Sequence, residues 1–283
     1  MPAAVLETTY PNRRIFITGG ASGLGKSLAL LAAEKGWTIG LTDIHEEALR
    51  QTATELSAWN VPVYTYCFDV ADKKSYSLHF HDFVRKTGGI DVIINNAGVG
   101  DGSPFADYSL ENWEWIIGIN QMGVLYGCHW AVQLMKQQGY GCIINIASAA
   151  AIAQLPEMSM YNMTKSAVRS LSETLYAELK PQGIHVLCVM PTFFQTNIMQ
   201  YARGGDDARE RGEKMVSQSP LTAMRMAEKI WWAAEKNKPY LIYPTDAQRV
   251  FRLSRWFPEF FLRAKAWLYA RPQWQERLLK NGR

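Results

Sequence analysis

Between residues 14 and 25 the chain runs from an apolar, strand-like Arg14-Ile15-Phe16-Ile17 into Thr18-Gly19-Gly20-Ala21-Ser22-Gly23-Leu24-Gly25, and then into an apolar-periodic helix over Leu24 to Lys35. A strand that ends in glycines and opens a helix leaves few architectures available. Gly19, Gly23 and Gly25 let the backbone turn tightly and approach a pyrophosphate, whose charge the free N–H groups and dipole of the helix stabilise. The next strand, Trp37 to Thr42, ends at Asp43, 18 positions past Gly25. A carboxylate there can accept hydrogen bonds from an adenosine ribose diol and repels a 2′-phosphate. Neither lysine nor arginine stands at Ala21, Ser22 or Ile44 to offset that repulsion, so NAD is favoured over NADP.

The alternation continues. A helix over about Glu46 to Ala58 leads to a strand from Val61 to Phe68 that ends at Asp69-Val70. A second helix, about Lys73 to Lys86, leads through Gly88-Gly89 to Ile90-Asp91-Val92-Ile93-Ile94, which ends in Asn95-Asn96-Ala97-Gly98. Strands alternating with helices call for an α/β fold with a doubly wound parallel sheet, whose ligand sits at the carboxyl edge of the strands. All the residues marked so far fall on that edge.

In the second half a long helix from Leu110 to about Gln137 passes through Asn120, an amide inside an apolar helix that signals a kink or a polar contact. The apolar run Cys142 to Ala147 reads as a buried strand that delivers the Ser148 hydroxyl to its carboxyl end. Tyr161 and Lys165 lie four apart on the following helix, to about Leu179, and so share a face. A phenol with an ordinary pKa of about 10 is a poor base at neutral pH, and a nearby ammonium favours its ionised form. A hydroxyl, a tunable phenol and a cation can thus converge on one substrate oxygen. A strand from Ile184 to Met190 then leads into Pro191-Thr192-Phe193-Phe194-Gln195-Thr196.

Composition bounds the remaining possibilities. With 283 residues, 48% hydrophobic and 20% charged, the chain is globular, and a net charge of +4 is too small to imply a nucleic-acid partner. Cys67, Cys128, Cys142 and Cys188 fall singly in apolar segments without metal-ligand spacing, and read as reduced core thiols of a cytoplasmic protein. Residues 1–14 carry no secretory signal pattern, and no window holds 18 clean apolar residues.

Taken together and in this order, these motifs resemble the short-chain dehydrogenase/reductase family in its compact single-domain branch. T-G-x-x-x-G-x-G is present as Thr18, Gly19, Gly23 and Gly25, N-N-A-G as Asn95 to Gly98, and Y-x-x-x-K as Tyr161 and Lys165, with Ser148 standing 13 before the tyrosine. The resemblance extends over about residues 12 to 245. It implies a Rossmann-like fold and a hydride transfer between a nicotinamide ring and a secondary alcohol or ketone. Tyr161 would be the acid/base, Ser148 would orient the substrate oxygen, and Lys165 would hold the nicotinamide ribose and depress the tyrosine's pKa. Asn120 would fix a water in a proton relay through Lys165. Cofactor contacts would further include Ser22, Leu24 and Asp43, Asp69 and Val70 flanking the adenine, Asn96, Ala97 and Gly98 beneath the ribose, Pro191, and Thr196 at the carboxamide. Thr192 departs from the family, in which a glycine usually follows the proline, so the backbone beside the nicotinamide is expected to be less open. The resemblance further implies a homodimer or homotetramer through the helices that hold Asn120 and Tyr161.

Two regions have no template. The loops expected above the nicotinamide, 149–160 and 193–219, carry Leu155, Met158, Met160, Phe193, Phe194, Ile198 and Met199, which points to a lipophilic alcohol or ketone. The catalytic domain is expected over 1–245, followed by an extension over 246–283. From Arg249 onward that extension sets nine basic residues against Glu259 and Glu276, interleaved with Trp256, Phe257, Phe260, Phe261, Trp267 and Trp274. Such a segment suits a lid or subunit contact that buries its rings, or a peripheral contact with a membrane surface. The alternatives to the NAD-dependent reading are an NADP(H)-dependent ketone reductase and a non-catalytic, cofactor-sensing protein of the same fold.

Overall fold

The computed structural model describes residues 6–271. Seven parallel strands form one sheet: β1 (Arg14–Thr18), β2 (Thr38–Asp43), β3 (Val63–Cys67), β4 (Val92–Asn95), β5 (Gly141–Ile146), β6 (Ile184–Pro191) and β7 (Tyr240–Tyr243). Their order is β3-β2-β1-β4-β5-β6-β7. The chain therefore reverses its winding between β1 and β4, and a crevice opens there at the carboxyl edge. The last strand, Tyr240–Tyr243, is only four residues long, too short for its period to stand out in the sequence.

The connecting helices are α1 (Gly23–Glu34), α2 (Glu46–Leu56) and α3 (Lys73–Thr87). After them come α4 (Leu110–Ile117) and α5 (Gly123–Gln138), joined by a π-helical turn over Gly118–Met122. Then follow α6 (Ser159–Leu179), α7 (Asp206–Ser217), α8 (Ala223–Glu235), α9 (Thr245–Trp256) and α10 (Pro258–Tyr269). Successive strand residues point to opposite faces, so β1 divides its side chains between two cores. Ile15 and Ile17 pack with Leu28, Trp37 and Trp231 on the α1/α8 side. Phe16 packs with Tyr76, Phe80 and Phe83 on the α3 side, its ring 5.6 Å from Phe80 in an edge-on contact. Burial of these aromatics and aliphatics, roughly 1.5–3 kcal/mol for each side chain, is the main force holding helices to sheet.

Several polar groups inside the sheet are paired. The Arg14 guanidinium meets the fully buried Asp91 carboxylate at 2.9 Å. Asn95 of β4 donates to Asn145 of β5 at 2.8 Å, and Asn145 donates to Ser172 of α6 at 3.0 Å. This chain of amides locks the middle of α6 to the sheet, and with it the segment that carries Tyr161 and Lys165.

The cysteines divide differently from the sequence reading. Cys128, Cys142 and Cys188 are buried, whereas Cys67 is exposed, because β3 is the outer strand and its alternate residues face solvent. Burial pushes the thiols of Cys128, Cys142 and Cys188 up to about 12.

Candidate active site

A cleft of about 330 Å³ lies at the carboxyl edge of the sheet. Gly19, Ser22, Leu24, Asp43, Asp69, Val70, Asn96, Ala97, Gly98, Tyr161, Lys165, Pro191 and Thr196 line it. Thr18, Gly23, Gly25, Asn120 and Ser148 are not among the lining residues, although Thr18 bonds to Asn96 and Asn120 to Val99, which are.

The glycine turn is closed by its neighbours. The Thr18 hydroxyl accepts from the N–H groups of Asn96 and Ala97 at 3.0 Å. The Asn96 amide donates back to the carbonyls of Thr18 at 2.9 Å and Gly19 at 3.0 Å. The two turns at the switch point are thus one hydrogen-bonded unit. Gly19 and Gly23 have φ of +66° and +52°, in the left-handed region that favours glycine. A Cβ on Gly25 would lie 2.0 Å from the Gly19 carbonyl oxygen. Gly25 therefore lets α1 pack directly against the turn, which sets the start of the helix beside the cleft that Gly19, Ser22 and Leu24 line, where its first N–H groups can meet a diphosphate.

At the end of β2 the Asp43 carboxylate accepts from Ala21 N at 3.0 Å and from His45 N at 3.1 Å. It also lies 3.0 Å from the His45 ring nitrogen. An ionised carboxylate has about four lone-pair sites. Asp43 therefore fastens the glycine loop and retains capacity toward the cleft it lines.

The groups on α6 converge as their spacing predicts, with different electrostatics. Burial raises the Tyr161 phenol above its ordinary value, and the neighbouring Ser148 hydroxyl lowers it by less. Lys165 Nζ lies 5.7 Å from the Tyr161 ring centroid and donates to the Ile146 carbonyl at 3.0 Å. Burial of that ammonium pulls its pKa down to about 8. In this geometry desolvation outweighs the depression of the phenol expected from the lysine.

Asn120 occupies the π-helical turn, fully buried. Its Oδ1 accepts from Val99 N at 2.8 Å, and its Nδ2 donates to Val99 O at 3.0 Å and to Thr164 Oγ1 at 3.4 Å. The amide grips the segment after Gly98 and touches α6 between Tyr161 and Lys165, without contacting Lys165. Gly98 lies between them, where an added Cβ would meet Asn120 Oδ1 at 3.1 Å and Lys165 Nζ at 3.3 Å.

The walls differ from the sequence expectation. Of the seven apolar loop residues, Phe194 and Ile198 line the cleft. Met160 is the second residue of α6 and packs with Ile116, Met199 is buried, and Phe193 is exposed. Val99, Trp115 and Ile119 supply further apolar wall. Trp115 lies on α4, where it reads as an ordinary core residue in the sequence. Arg203 stacks 4.1 Å from its ring centroid, and a two-residue parallel ladder joins Asp101-Gly102 to Arg203-Gly204. Further along the rim Tyr201 stacks on His45 at 4.5 Å. The loop after β6 is thereby tied down on both sides of the cleft. Thr192 has its N–H bonded to Tyr243 O at 3.0 Å, which holds the backbone beside Pro191 against β7.

The extension folds as two helices, α9 and α10. Lys265 donates to the Ala153 carbonyl at 2.9 Å, and the Tyr269 hydroxyl to Glu157 at 3.3 Å, so α10 sits on the loop over 149–160. Trp256, Phe257, Phe260 and Trp267 remain exposed. Trp274 and the remaining residues after 271 lie outside the described residues. Among the described residues no helix is long and apolar enough to cross a membrane.

A doubly wound parallel sheet with a glycine-rich turn at its switch point and a Ser-Tyr-Lys group on the same edge defines a dinucleotide-binding α/β architecture. Comparison with known proteins narrows it. The family model described as short chain dehydrogenase matches residues 13–207. Probable oxidoreductase EphD of Mycobacterium tuberculosis is 30% identical over 255 residues, covering 87% of this chain and 43% of that protein, so the chain spans less than half of that relative's length. An uncharacterized oxidoreductase of Thermotoga maritima is 28% identical over 79% of this chain and 89% of its own. Among solved structures, a short chain dehydrogenase/reductase from Burkholderia phymatum in complex with NAD superposes with a TM-score of 0.81 at 29% identity, covering 88% of this chain and 94% of that one. An alcohol dehydrogenase from Thermococcus sibiricus complexed with 5-hydroxy-NADP shares the fold, with a TM-score of 0.71 at 22% identity over 81% of this chain and 95% of that one. The chain belongs to the short-chain dehydrogenase family.

Proposed function

We propose that this chain is an NAD(H)-dependent oxidoreductase acting on a lipophilic secondary alcohol or ketone, with Tyr161 as the acid/base. The observation that carries the reading is the convergence of Ser148, Tyr161 and Lys165 on the same sheet edge as the open glycine turn. Bound nicotinamide dinucleotide would supply the hydride donor or acceptor. Gly19, Ser22 and the first N–H groups of α1 would hold its diphosphate, and Asp43 its adenosine ribose. Asp69 and Val70 would flank the adenine, with Asn96 to Gly98 below and Pro191 and Thr196 at the carboxamide end. Ser148 would donate to the substrate oxygen and fix its distance from Tyr161. The phenol would give its proton to that oxygen on reduction and take it on oxidation. Lys165 would bind the nearby ribose, and Asn120 would hold the proton path open behind it.

Asp43 supports NAD over NADP, as does likeness to the Burkholderia phymatum protein, solved with NAD. Val99, Trp115, Ile119, Phe194 and Ile198 support an apolar substrate. A screen of hydrophobic secondary alcohols with NAD and with NADP tests the reading. Faster turnover with NADP overturns the cofactor assignment. Tight NADH binding with no turnover across the screen favours a cofactor-sensing protein instead.

In this reading residues 1–245 form the catalytic unit and α10 is a lid on the 149–160 loop. Exposed Leu125 and Met163 support subunit contact through α5 and α6, which light scattering tests. Exposed Trp256, Phe260 and Trp267 beside Arg252, Arg255 and Arg263 support peripheral contact with an anionic membrane surface. Co-sedimentation with phosphatidylserine vesicles tests it: pelleting equal to that of a Trp256→Ser, Phe260→Ser, Trp267→Ser variant dismisses the contact.

A further inference from the structure

We infer that Asp101 is a positioning residue for Tyr161, capping the catalytic helix at the tyrosine's own backbone from 60 residues away. The inference rests on the reading of Tyr161 as the acid/base. Helix α6 begins at Ser159, so Tyr161 is its third residue and its N–H is one of the donors that a helix start leaves without an intrahelical partner. Met158, at the cap position, provides no side-chain hydrogen bond. Asp101 Oδ2 accepts from Tyr161 N at 3.3 Å instead.

The cap is itself held. The Tyr108 hydroxyl donates to Asp101 Oδ1. The backbone of Asp101 pairs with Arg203 of the loop after β6. The residue is only 2% exposed, and a charge so desolvated is costly unless hydrogen bonds and a helix dipole compensate it. Burial raises its carboxyl to about 6, which leaves it ionised at neutral pH. One buried carboxylate therefore joins the start of the catalytic helix to the loop that walls the substrate. A shift of Asp101 displaces the Tyr161 hydroxyl from Ser148, and a misplacement near 1 Å costs about 10²-fold in rate.

The test compares Asp101→Ala, Asp101→Asn and Tyr108→Phe in the full chain. Asp101→Ala is expected to lower kcat about 10- to 100-fold while KM for alcohol and NAD stays within about twofold. Asp101→Asn, whose amide oxygen still accepts from Tyr161 N–H, is expected to recover kcat to within about fivefold of the parent. Hydrogen exchange at the Tyr161 amide, followed by NMR, reads the cap independently of catalysis and should be at least about tenfold faster in Asp101→Ala. Unchanged exchange, or a kcat within twofold of the parent, overturns the proposal. If Asp101→Ala does not fold, Tyr108→Phe decides: faster Tyr161 amide exchange and lower kcat at unchanged KM support the role, and parental values refute it. Full turnover in Tyr161→Phe, run alongside, would remove the assignment of Tyr161 itself while the exchange data still report on the cap.

Discussion

Lys165 Nζ approaches the Tyr161 ring centroid to 5.7 Å and spends a hydrogen bond on the Ile146 carbonyl at the end of β5. The strand that leads to Ser148 therefore anchors the cation that shares a helix face with the phenol, and all three groups are registered to one sheet edge.

Removing the phenol hydroxyl tests the chemistry most directly. Tyr161→Phe is expected to lower turnover about 10²- to 10⁴-fold while NADH affinity, read by fluorescence titration, changes less than about twofold. A variant with parental turnover would exclude Tyr161 from proton transfer.

The buried ammonium should leave a signature in stability. Lys165 falls from an ordinary 10.5 to about 8 in the folded chain, so between those values the unfolded chain binds more protons and stability rises with pH. Below pH 8 the charged form costs the fold roughly 3 kcal/mol, an amount regained by pH 10.5. Lys165→Met should therefore be more stable than the parent at pH 7, with the gap narrowing between pH 8 and 10.5. Urea unfolding across that range measures it, and turnover should be lost at every pH.

Asp43 is expected to govern cofactor choice. Asp43→Ser removes the acceptor for a ribose diol and the repulsion of a 2′-phosphate. A lost charge-assisted hydrogen bond of about 1.5–3 kcal/mol weakens NADH binding by about 10- to 100-fold, while NADPH binding should hold or improve. Parallel titrations with both cofactors give the ratio, and an unchanged ratio would count against the assignment.

Asn120→Ala leaves the Val99 N–H and carbonyl without their partner in a buried turn. Each unsatisfied buried group costs about 1–3 kcal/mol, so a loss of about 2–6 kcal/mol in urea unfolding is expected, together with reduced turnover. Loss of turnover at parental stability would instead indicate a role confined to the proton path.

Much of the site is legible before any coordinates. The glycine turn, Asp43, Asn95 to Gly98, Ser148, and Tyr161 with Lys165 each sit at the end of an apolar run or at helical spacing, and all come to the one edge that alternating strands and helices dictate. Asp101 and Tyr108 carry no such mark, because their partner Tyr161 is 60 residues from Asp101. Met160 and Phe194 show the same limit from the other side. Both lie in segments expected above the nicotinamide, yet Met160 begins α6 and packs against Ile116, whereas Phe194 lines the cleft.

Residue order alone therefore determined the alternation of strands and helices, the glycine turn and which polar side chains gather at the carboxyl edge, since periodicity and turn chemistry act over a few residues. Tertiary structure decided which apolar side chains wall the cleft, why burial rather than Lys165 dominates the phenol's acidity, and how Asn120 and Asp101 hold the segments around Tyr161. Those outcomes depend on desolvation and on contacts between distant segments, and neither exists until the chain has closed on itself.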